Sequence, residues 1–514
     1  MTGTGSRKPR RCRLSRLAAG LVFLSVLFFA AWPPGFFSRA TEAYADRFLT
    51  ASDAAYVMGT YLRITATGRG AEKAVALAVA RFRELDILLN PANPASDMAC
   101  LAAAAGHPVS VSPDTIAVLE RADAVYRLSG GAFDMTIGPL VDLGGFGPQS
   151  VVEAGTTADG GRATPPSEAE IAIARRLVGW QRVRWDRAAG TAMLLAPELT
   201  LATGGIAKGY ALDEAARILR ESGVRRGIID AGGSLYLLGA KATGQPWRIA
   251  LRHPRQEGYL GTIELPADLA VATSGDYQRY FEADGRRYHH LMDPATGRPA
   301  MSTMSVTVVG PSAVDADALS TALFVLGPER GLALALTLPG LEALFVDAAG
   351  KITMTPGMAA WFVPAGASAA NSGGGGSGFG RLTADEPGAV TGFVVEVAGV
   401  RMLQLNPNVD GLYAVQGPLG ETRIEIRDGR AIIRDSPCPQ PAWHGGWIDR
   451  RGQVSVCLPN RVVLRSILVF PETTGGRGVP VVTWRRTAPR PSRTASGPWP
   501  GGGSRRDKES SGRA

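Results

Sequence analysis

A glycine-rich junction contains the first residues whose types suggest chemistry. Residues 201–219, LATGGIAKGYALDEAARIL, place two adjacent glycines, Lys208 and a third glycine at a strand-to-helix junction. A helix N-terminus offers unpaired backbone N–H groups and the positive end of the helix dipole, which suit a phosphate, and Lys208 would add a mobile countercharge. The alternatives are a tight turn with an incidental lysine, or close backbone packing. The junction is neither a P-loop nor a dinucleotide-binding GxGxxG motif.

A second segment places a carboxylate and a hydroxyl on one face of a predicted helix. In VDADALSTALFVLG, residues 314–327, Asp317 and Thr321 are four residues apart. Hard oxygen ligands of this kind suit Mg²⁺, which usually keeps few protein ligands and takes the others from phosphate and water. The alternative is that Asp315 or Asp317 caps the N-terminus of a buried helix.

Two more segments carry polar residues in loops or hairpins. Residues 271–300 predict a small-residue turn at 273–275 and a hairpin that turns at Asp284 and Gly285, followed by His289 and His290. On an extended strand these histidines lie on opposite faces, so one can face a site while the other faces water or core. Residues 129–147, SGGAFDMTIGPLVDLGGFG, form an irregular loop with Asp134 and Thr136, and fixed polar residues in such a loop are often functional.

Together these segments resemble the ApbE family of FAD:protein FMN transferases. The family patterns GxFDxTxGPLV, GGIAKGYAxD, TSGDYxRYFExDGxRYHHxxDPxTGxP and DALSTALFVLG appear here in that order, and residues 57–65, VMGTYLRIT, are similar to the family's opening strand. The resemblance spans residues 56–330. It implies FAD as the substrate, a divalent cation that is normally Mg²⁺, and transfer of FMN to a threonine hydroxyl of an acceptor protein with release of AMP.

The resemblance also implies roles for individual residues. Metal ligands would be Asp317, Thr321 and the backbone carbonyl of Gly205. The implied FAD contacts are Met58, Ala132, Phe133, Asp134, Lys208, His290 and Leu291. Lys208 and the cation would neutralise the pyrophosphate. The base that takes the threonine proton is His290 or Asp317, and we prefer His290 because an aspartate already bound to a metal is a poor base. Asp317, His290 and Lys208 are the predicted catalytic residues.

Three positions depart from the family pattern. Ala202 stands where an aspartate often precedes the glycine pair, Gly144 where a tryptophan is usual, and Ala92 where an aromatic ring often stacks. A missing ring forfeits stacking energy of about 1 kcal/mol. These departures motivate an alternative function, that of an exported FAD-binding flavoprotein without transferase activity.

Residues 422–465 resemble a second family, the NusG domain II-like modules. The segment contains TRIEIRDGRAIIR, SPCPQ and GQVSVCLPNRVV in the order of that family's pattern. We interpret this region as a substrate-docking or structural module. Its cysteines, Cys438 and Cys457, could form a disulfide in an oxidising compartment.

Composition and charge complete the predicted organisation. A basic stretch at Arg7–Arg16 precedes an apolar run at 17–32, which predicts an export signal, with an uncleaved membrane anchor as the alternative. The protein would act in the periplasm or on the outer face of the inner membrane. The net charge of +9 is concentrated at the two ends, so we expect no nucleic-acid partner, whereas a tail that rests on anionic lipid stays open.

The predicted class is α+β, with a mixed-sheet flavin-transferase domain followed by a small all-β domain. The predicted boundaries are 1–45 for the signal or anchor, 46–365 for the flavin-transferase domain, 366–381 for a Gly/Ser linker, 382–470 for the β domain and 471–514 for a disordered basic tail.

Overall fold

The computed structural model describes residues 50–104, 106–147, 165–365, 392–437, 446–449, 454–457 and 460–467. The chain divides into two units, Met1–Pro471 and Glu472–Ala514, and the second lies wholly outside the described residues. The predicted export signal, Gly/Ser linker and basic tail also lie outside them, so their boundaries stay predictions. Within the described residues, no helix combines the length and the apolar character that a membrane span requires.

Helices and strands are interspersed along the described residues between 50 and 365. The helices are α1 (Ala71–Leu89), α2 (Asp97–Ala103), α3 (Pro113–Leu128), α4 (Gly138–Leu143), α5 (Glu168–Leu177), α6 (Ala207–Glu221), α7 (Ala313–Ala335) and α8 (Pro356–Trp361), with short 3₁₀ turns at Met135–Ile137 and Trp180–Arg182. The strands are β1 (Thr50–Val57), β2 (Thr60–Thr67), β3 (Val109–Ser110), β4 (Val183–Asp186), β5 (Thr191–Leu194), β6 (Arg226–Ala231), β7 (Ser234–Leu238), β8 (Trp247–Arg252), β9 (Tyr259–Leu265), β10 (Leu269–Gly275), β11 (Tyr280–Ala283), β12 (Arg286–His289), β13 (Met292–Asp293), β14 (Arg298–Pro299), β15 (Thr303–Gly310), β16 (Glu342–Asp347), β17 (Ile352–Met354) and β18 (Phe362–Pro364).

The central feature is an eight-stranded sheet in the order β1-β2-β6-β7-β10-β15-β16-β17. Neighbouring strands pair antiparallel throughout this sheet. Both of its faces are covered, which explains why seven of the eight residues of β15 are buried, including Thr303, Ser305 and Thr307. Val306 and Val308 join the core beneath α1, α6 and α7, whereas Val309 joins a second core with the small β18-β9-β8 sheet. The predicted α+β class is therefore confirmed.

Local turn chemistry follows the sequence with one exception. The hairpin β11–β12 turns at Asp284 (φ 51°) and Gly285 (φ 70°), as predicted. The predicted turn at residues 273–275 is wrong, because β10 continues to Gly275, where it still pairs with Ser305 of β15. The cross-strand partners of these small residues, rather than their own turn propensity, decide their conformation.

The described residues between 392 and 467 are arranged in strands, as the sequence predicts for this region. Its strands are β19 (Gly392–Val397), β20 (Val400–Leu405), β21 (Gly411–Gly417), β22 (Gly420–Arg427), β23 (Arg430–Asp435), β24 (Val454–Cys457) and β25 (Val462–Ile467), in the sheets β20-β19-β25-β24 and β21-β22-β23. Phe393, Ile424 and Leu464 belong to one buried cluster between the strands. Cys457 is buried, but Cys438 lies outside the described residues, so the disulfide stays a prediction.

An ion-pair network connects the β domain to strand β1 of the larger, N-terminal domain. Arg465 on β25 pairs with Asp53 on β1 and donates from Nη2 to Glu396 Oε1 at 2.7 Å. The side chain of Arg465 is 11% exposed and that of Glu396 is 3% exposed. The guanidinium of Arg461 lies 5.7 Å from the ring centroid of Tyr56. The charges of Arg465 and Glu396 are largely shielded from water, so removal of one partner would leave the other as a poorly compensated buried charge.

We expect Arg465→Ala to lower the free energy of unfolding of the full chain by about 3 kcal/mol, because Glu396 would keep a buried charge without its close partner. Urea unfolding followed by tryptophan fluorescence measures the change. The control is Arg423→Ala on the same domain, where a 51% exposed arginine pairs with the exposed Glu421. This pair should contribute less than about 1 kcal/mol. Equal shifts in the two variants would show that the network does not stabilise the protein.

Candidate functional site

The glycine-rich junction at the start of α6 lies against α7, the helix that carries Asp317 and Thr321. Two reciprocal sets of hydrogen bonds join these helices. The backbone N–H of Gly209 donates to Asp317 Oδ2 at 3.0 Å. In the opposite direction, Asp213 on α6 accepts hydrogen bonds from the N–H groups of Ala313 and Val314, at 2.8 and 2.9 Å. Burial raises the pKa of Asp213, and these hydrogen bonds act against that shift. Each helix therefore supplies a carboxylate to backbone donors of the other.

Gly209 itself is required by packing. A Cβ atom at this position would lie 2.3 Å from the carbonyl oxygen of Ala313 and 2.7 Å from the Cβ of Asp317. These separations are far below van der Waals contact, so only glycine allows the helices to approach this closely. Of the three interpretations of the junction, close backbone packing is correct for this glycine.

Lys208 lies beside the carboxylate of Asp317. Its Nζ donates to the carbonyl of Gly204 at 2.9 Å and is 3.5 Å from Asp317 Oδ1. The lysine side chain is 25% exposed and that of the aspartate 7%. The ammonium group is thus partly exposed and lies next to a buried carboxylate.

Gly205 and Thr321 are brought together on the same side. A Cβ atom on Gly205 would lie 3.1 Å from Thr321 Oγ1 and 3.3 Å from Phe133 Cε2. The glycine backbone, the threonine hydroxyl and the Phe133 ring therefore share one small region. The segment just before the glycines is irregular, and α6 begins at Ala207, so the predicted strand-to-helix junction is a loop-to-helix junction.

Asp317 does not cap its helix. Ser312 is the N-cap of α7, since its Oγ accepts a hydrogen bond from the N–H of Asp315. The first backbone N–H groups of α7 donate hydrogen bonds to the carboxylate of Asp213. Asp315 forms an ion pair with Arg121. The capping interpretation of Asp315 or Asp317 is therefore wrong, and the carboxylate of Asp317 faces α6.

The loop around Asp134 uses its polar atoms to hold its own shape. Asp134 Oδ1 accepts from the N–H of Thr136 at 2.8 Å and from its hydroxyl at 2.6 Å, and Thr136 Oγ1 accepts from the N–H of Gly179. Both side chains are buried, and burial raises the pKa of Asp134. Ala132 precedes them in a half-buried position. A contact of Asp134 or Ala132 with FAD stays a prediction.

The two histidines differ in environment, and strand β12 ends at His289, so the predicted alternation along one extended strand does not apply to His290. His289 is 1% exposed, and its Nε2 donates to the carbonyl of Ala300 while its Nδ1 accepts from the N–H of Leu291. Burial lowers the pKa of His289 to about 4. His289 is therefore a core residue whose two ring nitrogens are both used.

His290 has one ring nitrogen committed to the backbone. Its Nδ1 is 3.2 Å from the carbonyl of Arg279, and because a carbonyl only accepts, Nδ1 carries the proton and Nε2 holds the lone pair. Burial, followed by the charge of Arg279, lowers the pKa of His290 to about 3. The imidazole is thus neutral near pH 7, but its low pKa makes it a weak base.

The remaining predicted FAD contacts are Met58 and Leu291, which belong to the main hydrophobic core or pack against it. Met58 forms the β1–β2 turn with Gly59, at φ values of 52° and 68°, and packs against the main core. Leu291 is 6% exposed within that core. Their contact with FAD stays a prediction.

The structure shows the surroundings of two positions that depart from the family pattern, Gly144 and Ala92. A Cβ on Gly144 would lie 2.4 Å from Met292 Cε, so the methionine occupies the space that a larger side chain would enter. Ala92 is exposed, in the segment that leads to α2. Three residues near the site, Met292, Asp213 and Ser274, have no predicted role in the sequence. Asp213 is the aspartate of GYALD, and Ser274 is the penultimate residue of β10, with its Oγ 3.3 Å from Thr321 Oγ1.

A family model for the ApbE family matches residues 58–345, which is more than half of the chain. The chain belongs to the ApbE family. Among ApbE relatives named FAD:protein FMN transferase, that of Vibrio cholerae serotype O1 is 39% identical over 231 residues, covering 44% of this chain and 65% of the relative. That of Klebsiella pneumoniae is 33% identical over 282 residues, covering 53% of this chain and 77% of the relative.

Solved ApbE structures are similar in fold. The ApbE protein of Thermotoga maritima gives a TM-score of 0.55 at 31% identity, covering 61% of this chain and 99% of that chain. Flavin transferase ApbE from Vibrio cholerae gives 0.53 at 29% identity, with the same coverage. A model for NusG domain II matches residues 375–467. The chain is thus an ApbE domain joined to a NusG domain II-like module.

Proposed function

We propose that this chain is an FAD:protein FMN transferase. The acceptor is a threonine of another protein: its Oγ forms a bond to the phosphorus attached to riboflavin, the bond from that phosphorus to the AMP phosphate breaks, and the threonine proton passes to a base. The observation that carries the proposal is the convergence of Lys208, Asp317, Thr321 and the backbone of Gly205 at one helix N-terminus. A pyrophosphate needs this combination of positive charge and fixed polar groups.

The oxygen donors fit Mg²⁺. Asp317 supplies one carboxylate, Thr321 a hydroxyl one helical turn later, and Gly205 a backbone carbonyl, all of them hard oxygen ligands. In the described part of the chain, no group of three or more His, Cys, Asp or Glu side chains could hold a metal. A single carboxylate suits a cation that takes its remaining ligands from phosphate and water. When bound, Mg²⁺ would supply positive charge next to the phosphates.

Three other side chains have separate roles in the proposed reaction. Lys208 would neutralise phosphate oxygens, since its ammonium is partly exposed and its flexible side chain would allow it to leave the carbonyl of Gly204. Phe133 lies beside Gly205, where it can contact the ligand. His290 remains our candidate for the base, with Nε2 as the accepting atom. Its pKa of about 3 in the free protein means that this role depends on positioning more than on basicity.

We further propose that the reaction takes place outside the cytoplasm. The basic and apolar stretches at the N-terminus support export, so the acceptor would be an exported protein. The protein would then lie in the periplasm or at the outer face of the inner membrane, with a membrane anchor or the basic tail as a means of association.

The test is the addition of an FMN mass to a candidate exported acceptor. The full chain, FAD and Mg²⁺ are incubated with the acceptor, and mass spectrometry then locates the modification. We expect labelling of a threonine that depends on all components and disappears with EDTA. The control replaces that acceptor threonine by valine. Bound flavin without labelling of any exported acceptor, with Mg²⁺ present, would favour a flavoprotein without transferase activity and overturn the proposal.

A further inference from the structure

A chain of hydroxyl groups connects β10 to α7 behind Thr321. Ser274 Oγ lies 2.8 Å from Ser320 Oγ and 3.3 Å from Thr321 Oγ1. Ser320 Oγ donates in turn to the backbone carbonyl of Asp317 at 2.8 Å. Ser274 and Ser320 are 7% and 1% exposed, so water does not readily replace these contacts.

The direction of each hydrogen bond follows from the number of protons. A hydroxyl donates once, and Ser320 donates to a carbonyl, which can only accept. Ser320 must therefore accept from Ser274. The single proton of Ser274 is then used, so Ser274 can only accept from Thr321. The order is Thr321 to Ser274 to Ser320 to the carbonyl of Asp317.

This order determines what Thr321 presents to the site. Its proton points toward Ser274, which leaves the lone pairs of Oγ1 for another partner. The backbone of Gly205 lies close to this oxygen, since a Cβ atom on Gly205 would be 3.1 Å from it. A cation needs such lone pairs and is repelled by a hydroxyl proton. We infer that Ser274 and Ser320 are positioning residues that orient the Thr321 hydroxyl as an oxygen ligand. The inference rests on the proposed function, because that function assigns the cation.

The test measures metal affinity rather than turnover. In the presence of FAD, Mn²⁺ is titrated into the full-length protein and free Mn²⁺ is followed by electron paramagnetic resonance. We expect Ser274→Ala to raise the Mn²⁺ dissociation constant by about 10- to 100-fold, the usual effect of losing a group that orients a metal ligand. Ser320→Ala should act in the same direction, because the proton of Ser274 would then turn toward Thr321.

The matched control is Thr273→Val, one residue earlier on β10. Thr273 Oγ1 pairs with Thr307 Oγ1 at 2.9 Å, so this variant also removes a hydroxyl pair between neighbouring elements. We expect its Mn²⁺ affinity to equal that of the unaltered chain. If Ser274→Ala binds Mn²⁺ as tightly as Thr273→Val, or if the unaltered chain binds no Mn²⁺, the inference is overturned. A different outcome would overturn only the proposed function: the unaltered chain transfers no FMN, although Ser274→Ala weakens Mn²⁺ binding and Thr273→Val does not.

Discussion

Asp317→Ala is expected to reduce FMN transfer by about 10³-fold or more, which corresponds to roughly 4 kcal/mol of transition-state stabilisation. The substitution removes the one carboxylate among the proposed cation ligands. It also removes the acceptor of the Gly209 N–H and the partner of Lys208. The measurement is the initial rate of acceptor labelling at saturating FAD and Mg²⁺.

Two further variants separate chemistry from folding. Asp317→Asn keeps an oxygen for the Gly209 N–H but loses the charge, so we expect normal unfolding and a transfer rate nearly as low as that of Asp317→Ala. Asp315→Ala changes the same residue type two positions earlier, where the carboxylate pairs with Arg121 instead. It should leave transfer within about twofold, since partly exposed pairs contribute little. Transfer by Asp317→Ala at the unaltered rate would remove the metal and phosphate assignment.

Gly209→Ala is expected to destabilise the protein by about 1–3 kcal/mol, the usual cost of forcing an extra methyl group into a packed region. The added Cβ would meet the carbonyl of Ala313 and the backbone of Val314, and neither can move without displacing α7. Transfer should fall by about 10- to 100-fold, because a displacement of about 1 Å at a catalytic site has effects of this size. Urea unfolding and the labelling rate measure the two effects.

Gly204→Ala is the matched control. A Cβ atom at Gly204 has no described atom within 4 Å, although the residue lies in the same segment. We expect an unchanged unfolding midpoint for this variant. If Gly209→Ala unfolds at the same midpoint as Gly204→Ala, the close approach of α6 and α7 is not under packing constraint.

Local features of the fold could be predicted from the sequence. The segment AEKAVALAVARFRELDILL predicts a helix, and α1 has the same limits, Ala71–Leu89. The turn at Asp284 and Gly285 also follows from local chemistry, because both residues tolerate positive φ. Periodicity and turn residues act over a few positions, so one sequence is sufficient to recognise them.

Contacts between distant residues could not be predicted in this way. Gly209 and Asp317 are 108 positions apart, and Ser274 and Thr321 are 47 apart. Helical spacing placed Asp317 and Thr321 on one face, but only the tertiary fold shows that this face meets α6. The same reason explains the error at residues 273–275, where strand pairing decides the conformation. Which histidine enters the core also depends on neighbours, such as Phe324, that are remote in sequence.

The paired carboxylate contacts between α6 and α7 mean that the corner where the ligand would bind is completed when the chain folds. Asp213 on α6 and Asp317 on α7 each accept hydrogen bonds from backbone N–H groups of the other helix, and these contacts oppose rotation of either helix alone. The binding surface for a dinucleotide would therefore be preorganised. Less of the binding free energy would then be lost to ordering the protein when the ligand binds.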